Sequence, residues 1–128
     1  MTLRDWTRRP RPVDAAEAMR LLAGGALLVD VRGDREWART HVPGAHHLPL
    51  RELEARAAEL PDDRLLITFC TGGLLSRGAA SLLTTLGFDA VNLAHGLVGW
   101  RAAGGALELG GGRADDEDGV DGADGRRG

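Results

Sequence analysis

The sequence predicts one α/β domain built around a largely parallel sheet, and three observations support this prediction. Short apolar runs alternate along the chain with amphipathic stretches of helical periodicity, the order that βαβ units produce. Two of the runs, 26–31 and 65–69, are almost continuously apolar, as is typical of strands that are buried on both faces. At 128 residues the chain is long enough for a single hydrophobic core.

Caps, stops and periodicity place the remaining elements. Asp14 and Glu17 have the spacing of a capping box, and the helix that they begin is expected to end at Gly24-Gly25. Asp34 is predicted to cap a short helix that carries Trp37. Further expected elements are a turn at Pro43-Gly44, a short strand-like segment at 45–50, an amphipathic helix at 51–60, a strand at 90–93 and a helix at 97–103.

Composition and charge divide the chain into three regions. Residues 1–12 are polar and rich in arginine and proline, so we expect an extended lead-in before a folded domain over 13–109. Across residues 1–109 the basic and acidic residues balance, and no basic excess argues for a nucleic-acid partner. Residues 110–128 are rich in glycine and acidic residues and contain one aliphatic residue larger than alanine, so we expect a disordered tail.

Residue usage excludes several kinds of chemistry and indicates a compartment. All 16 basic residues are arginine, which excludes a Schiff-base lysine and a P-loop lysine. No run of 18 apolar residues is present, so we expect no membrane span. A single cysteine excludes an internal disulfide and a Cys-x-x-Cys mechanism and suits a reducing compartment. With no apolar segment after the N-terminal arginines, we predict a cytoplasmic protein.

That cysteine, Cys70, stands where a buried strand gives way to a glycine loop and then a helix. Ser76 is predicted as the N-cap of this helix, which would run to Leu86 and end at Gly87. Loop N–H groups and the positive end of the helix dipole would converge on the sulfur and favour its thiolate, a nucleophile. A buried structural cysteine is the alternative, since free cysteine packs as a small hydrophobe.

Several motifs in order give the chain its resemblance to the rhodanese-like family in its single-domain form. In chain order they are Leu28-Val29-Asp30-Val31-Arg32, Glu36-Trp37, His41-Val42-Pro43-Gly44-Ala45, Leu48-Pro49-Leu50, Cys70 after its strand, Gly87-Phe88, Asn92-Leu93 and Gly96-Leu97-x-x-Trp100. The resemblance covers about residues 13–105, nearly all of the region expected to be ordered. It implies a central, mostly parallel sheet of five strands flanked by helices.

The resemblance also implies a sulfurtransferase or persulfide carrier in which Cys70 is the nucleophile. A small-molecule or protein donor would load a sulfane sulfur onto Cys70, and a thiol or cyanide acceptor would remove it, with ping-pong kinetics. No metal or organic cofactor is expected, and the adjacent His46 and His47 are poorly placed for a zinc site. The backbone amides of six residues would form the anion-binding loop: Thr71, Gly72, Gly73, Leu74, Leu75 and Ser76.

The loop departs from the common family pattern Cys-Arg-x-Gly-x-Arg-Ser. Thr71 and Leu75 occupy the two arginine positions, whereas Gly73 and Ser76 match the pattern. We therefore predict weaker attraction for thiosulfate and a preference for a persulfide donor. Three residues are candidates for a supporting role: Arg77, on the first turn of the helix, and Asp30 and Arg32, which would close the rim by a charge-assisted bond.

Two other function classes stay open at this stage. A non-catalytic module could use the same fold to recruit a protein partner, and Leu75 favours this reading while Cys70 opposes it. A cysteine phosphatase or arsenate reductase would need Cys-x5-Arg to grip the oxyanion. Here leucine stands at that position and Arg77 gives Cys-x6-Arg, so the phosphatase is the weaker alternative.

Overall fold

The structure, a computed structural model, describes residues 11–109 and confirms the α/β prediction. The strands are β1 Pro12–Val13, β2 Leu27–Asp30, β3 Thr40–His41, β4 His46–His47, β5 Leu66–Phe69, β6 Ala90–Leu93 and β7 Glu108–Leu109. The helices are α1 Ala15–Ala23, α2 Asp34–Arg39, α3 Leu53–Arg56, α4 Leu74–Thr85 and α5 Gly96–Ala102. None of the helices within 11–109 is both long enough and apolar enough to cross a membrane.

Five strands form the central sheet in the order β1-β6-β5-β2-β4, and all its pairings are parallel. β2 and β5 are neighbours at the centre, with Asp30 opposite Phe69. Since parallel strands end at the same edge, the segments after Asp30 and after Phe69 emerge side by side. The Val31 N–H continues the pairing by donating to the Phe69 carbonyl at 2.9 Å.

Helices cover both faces of the sheet, which explains the almost continuously apolar runs of β2 and β5. On one face α1 and α5 pack on Leu28, Ile67 and Val91. On the other face α3 and α4 pack on Val29 and Leu66. Successive strand residues thus serve opposite faces, as the period of two requires.

Two predicted helix starts differ from the structure. α4 begins at Leu74 with Gly73 as its N-cap, so Ser76 lies inside the first turn instead of capping it. α2 has Gly33 as its N-cap, and Asp34 is its first residue. The Asp14 cap is confirmed, because its carboxylate accepts the Glu17 N–H at 2.8 Å.

The segment predicted as one helix at 51–60 is broken into three short turns. A 3₁₀ turn at Leu50–Glu52 precedes α3, and a second follows at Ala57–Glu59. The predicted apolar face is nevertheless the buried one, comprising Leu53, Ala57 and Leu60. The preceding strand-like segment at 45–50 contains only the two residues of β4.

Both ends of the described region belong to β-structure that the sequence did not predict. Pro12, expected in the lead-in, lies in β1, an edge strand where its missing N–H costs no ladder bond. β7 pairs antiparallel with β3 in a separate two-stranded sheet. The predictions for 1–10 and 110–128 lie outside the described residues.

We expect a chain ending after Leu109 to keep the stability of the full chain. The reason is that residues 110–128 contain one aliphatic residue larger than alanine and so have little apolar surface to bury. Urea unfolding of the two chains would check this. A fall in the unfolding midpoint of the shorter chain would place the domain boundary beyond Leu109.

Candidate active site

Cys70 follows β5 directly, and its side chain is buried at 2% exposure. Two backbone N–H groups donate to its sulfur, those of Gly73 at 3.1 Å and Ser76 at 3.3 Å. The Cys70 thiol also lies 3.5 Å from the Ser76 hydroxyl, which donates to the Gly73 carbonyl at 3.2 Å. Donors held on one sulfur by the backbone stabilise negative charge there without a metal.

The start of α4 is held against β5 by a buried threonine. The Thr68 hydroxyl donates to the Ser76 carbonyl at 2.7 Å, and both residues are fully buried. This bond fixes the turn whose N–H reaches the sulfur. Gly73, the α4 N-cap, has a φ of +94°, a backbone conformation that favours glycine.

A second turn, at His95-Gly96, clamps the cysteine loop from the other side. The Leu97 N–H donates to the Cys70 carbonyl at 2.9 Å, and the Val98 N–H donates to the Thr71 carbonyl at 3.2 Å. A Cβ on Gly96 would lie 2.0 Å from the Cys70 carbonyl oxygen. A Cβ on Gly73 would lie 2.7 Å from the His95 nitrogen. The two turns therefore interlock through their glycines.

Asp30 and Arg32 form a buried ion pair at the carboxyl end of β2, the strand beside β5. The Arg32 Nη2 lies 2.9 Å from the Asp30 carboxylate, with exposures of 4% and 0%. The same guanidinium donates to the Thr40 carbonyl at 2.7 Å, and its Cζ lies 5.5 Å from the ring centre of Phe69. The pair thus ties β2 to β3 and covers the residue before Cys70.

Four exposed side chains in the cysteine loop, on α4 and on α5 are uncharged. Leu74 is 71% exposed, Leu75 is 55% exposed and Val98, on α5, is 62% exposed. Thr71 is exposed as well. Arg77, the candidate supporting cation, makes no ion pair or hydrogen bond within residues 11–109 and lines a groove on the α4 side of the loop.

The rings of His41 and His47 stack on the ring of Trp37. The distances between ring centroids are 3.9 Å for His41 and 4.7 Å for His47. The His41 Nε2 also lies 3.0 Å from Glu108 on β7. Within residues 11–109, no three His, Cys, Asp or Glu side chains are grouped so that they could hold a metal ion.

Of the predicted site residues, the structure brings Cys70, Gly73 and Ser76 into contact. It places Leu74, Leu75 and Ser76 in the first turn of α4, so the loop proper ends at Gly73. Two further residues shape the site without a signal that had singled them out in the sequence: Thr68, and Gly96 through its clamping role. Thr68 could have been noticed as the one polar residue in the apolar run 65–69.

The fold and this cysteine loop define a class of α/β domain, and comparisons with known proteins identify the family. The Rhodanese-like domain family matches residues 14–103, so the chain belongs to the rhodanese-like family, as the motifs predicted. A solved rhodanese-like domain protein from Staphylococcus aureus superposes with a TM-score of 0.69 at 26% identity, covering 79% of this chain and 99% of that one.

Two curated relatives differ in their descriptions. The HTH-type transcriptional regulator Rv0324 of Mycobacterium tuberculosis is 36% identical over 73% of this chain and 44% of its own length. A sulfurtransferase of Allochromatium vinosum is 36% identical over 58% of this chain and 70% of its own length. The chain thus matches less than half of the mycobacterial relative.

Proposed function

We propose that the protein is a sulfurtransferase that carries a sulfane sulfur as a persulfide on Cys70. The observation that supports this most directly is the convergence of the Gly73 and Ser76 N–H groups on the Cys70 sulfur. The name of the Allochromatium relative and the description of the family agree with a sulfur-transfer role. Thr68 and the Gly96 turn hold the loop that positions this sulfur.

Turnover consists of two displacements at sulfur. The Cys70 thiolate attacks the sulfane sulfur of the donor, the donor's S–S bond breaks, and the donor leaves with the electron pair as a thiolate or sulfite. The product is the persulfide anion Cys70–S–S⁻. An acceptor thiolate or cyanide then attacks the terminal sulfur, and Cys70 departs as a thiolate. Electrons balance with no external oxidant or reductant, and the covalent intermediate requires ping-pong kinetics.

The proposal is tested by the intact mass of the protein after incubation with thiosulfate and, separately, with a low-molecular-weight persulfide. We expect wild type to gain the mass of one sulfur atom and to lose it on addition of cyanide. Cys70→Ser is the control and should gain nothing. A wild type that gains no sulfur from either donor would contradict the proposal and favour a recruitment module, the role that the name of the mycobacterial regulator makes the second candidate.

We further propose that Leu75 lowers the use of thiosulfate, a dianion, because it places an uncharged side chain beside the cysteine loop. Leu75→Arg is expected to raise kcat/KM for thiosulfate by roughly tenfold or more, the value of one charge-assisted contact. The persulfide donor should show no such gain. Leu75→Gln is the matched control, since it is polar but uncharged. Equal thiosulfate rates for the two variants would refute a charge effect.

A further inference from the structure

The groove beside α4 has the size and lining of a ligand site separate from the Cys70 sulfur. It encloses about 530 Å³, within the range of small-molecule pockets. It runs between α4 and the β1 edge of the sheet, and its lining includes Pro12, Leu74, Arg77, Ser81, Asn92 and His95. Cys70 is not among the lining residues, but Gly72 and Gly73 of its loop are.

Asn92 is the buried polar group of this groove. It is only 3% exposed, and no hydrogen bond to its side-chain amide is found within residues 11–109. Its neighbours Val91 and Leu93 pack with α1 and α5, whereas Ala90 packs with α4. Because strand side chains alternate, the Asn92 amide faces α4 and the groove. A buried amide without a partner is costly, so a ligand that binds it is favoured.

The charge of the lining selects an anion. Arg77 and Ser81 stand one turn apart on α4, so both lie on the same side of the helix. Among the described residues that line the groove none is acidic, and Arg77 has no carboxylate partner within 11–109. Pro12, Leu74 and Ala94 add an apolar wall. A guanidinium, a hydroxyl and an amide beside such a wall suit a carboxylate on an apolar arm.

We propose that this groove binds a small apolar monocarboxylate, held by Arg77, Ser81 and Asn92. The site is distinct from the sulfur-binding cradle and does not depend on the proposed transfer reaction. The two sites share a wall, because the Gly73 N–H that donates to Cys70 belongs to a residue that also lines the groove.

The test is a titration of the full chain, followed by ¹H–¹⁵N NMR, with phenylacetate, with its neutral analogue phenylacetamide and with inorganic phosphate. We expect phenylacetate to shift the Asn92 side-chain amide and the Gly73 backbone amide, and phenylacetamide to bind at least about tenfold more weakly. No shifts with phenylacetate, or shifts caused equally by phenylacetamide, would overturn the proposal. Binding of phosphate alone at these residues would overturn the ligand class.

Four variants test whether residues of the groove itself bind phenylacetate. Arg77→Gln should weaken phenylacetate binding roughly tenfold or more, and Asn92→Ala should weaken it as well. Arg101→Gln is the matched control, since Arg101 is an exposed arginine on α5 away from the groove. Cys70→Ser should bind phenylacetate like wild type, so a failure of sulfur transfer leaves this result unaffected. Unchanged binding in Arg77→Gln would refute the site.

Discussion

Replacement of Gly96 by alanine is expected to disable the cysteine loop and to destabilise the fold by about 2–5 kcal/mol. The new Cβ would lie 2.0 Å from the Cys70 carbonyl oxygen and 2.8 Å from that of Thr71, and both obstacles are backbone atoms. Relief of this overlap would break the bonds from the Leu97 and Val98 N–H groups to the loop. Since Gly96 also has a φ of +46°, the substitution adds backbone strain.

The measurement combines urea unfolding with the rate at which Cys70 is loaded by a persulfide, expressed per folded molecule. We expect loading to slow by up to about a hundredfold, because a displacement of the sulfur by about 1 Å is enough to misalign the reaction. Gly44→Ala is the matched control: its φ is +83°, but apart from its chain neighbours no atom of residues 11–109 lies within 4 Å of its added Cβ. It should lose only about 1–2 kcal/mol and load normally. Similar loading rates in the two variants would show that the clamp does not position Cys70.

Replacement of Arg32 by methionine is expected to cost about 3–5 kcal/mol of stability, because it leaves the carboxylate of Asp30 buried without its cation. Asp30 is 0% exposed, and within residues 11–109 three of the four hydrogen bonds to its carboxylate come from the Arg32 side chain. The bond from the Arg32 guanidinium to the Thr40 carbonyl is lost as well.

The double variant Asp30→Asn with Arg32→Met provides the control, since it removes both charges. It should recover part of the loss, so that the decreases in unfolding free energy of the two single variants, Arg32→Met and Asp30→Asn, sum to more than the decrease in the double variant. Urea unfolding of wild type, the two single variants and the double variant gives the coupling free energy between Asp30 and Arg32. Additive losses would mean that the pair contributes no interaction of its own and that Arg32 acts only through packing.

Local sequence was sufficient for the elements whose determinants lie within a few residues. The almost continuously apolar runs determined β2 and β5, and the strand-to-glycine transition placed Cys70 at the rim of the sheet. The Asp14 carboxylate needed only the N–H three residues away to cap α1. The motifs sufficed to identify the family, because their order along the chain can be read without knowledge of the fold.

Start and end points of helices were less predictable where loop contacts compete with local propensity. Ser76 has the chemistry of an N-cap, but its N–H donates to the Cys70 sulfur and its carbonyl accepts from Thr68, and the N-cap is Gly73, three residues earlier. The segment at 51–60 buries its predicted apolar face, yet it winds as short turns instead of a single helix.

By itself the sequence determined the fold class, the family and the position of the cysteine, because strand burial, caps and motif order are read from neighbouring residues. Only the tertiary structure decided which backbone N–H groups donate to the sulfur and that Gly96 lies against the Cys70 carbonyl. It also decided that β7 pairs with β3 and that Arg77 and Asn92 line the same groove. These contacts join residues far apart along the chain, and their geometry depends on how the sheet and helices pack, which no local pattern encodes.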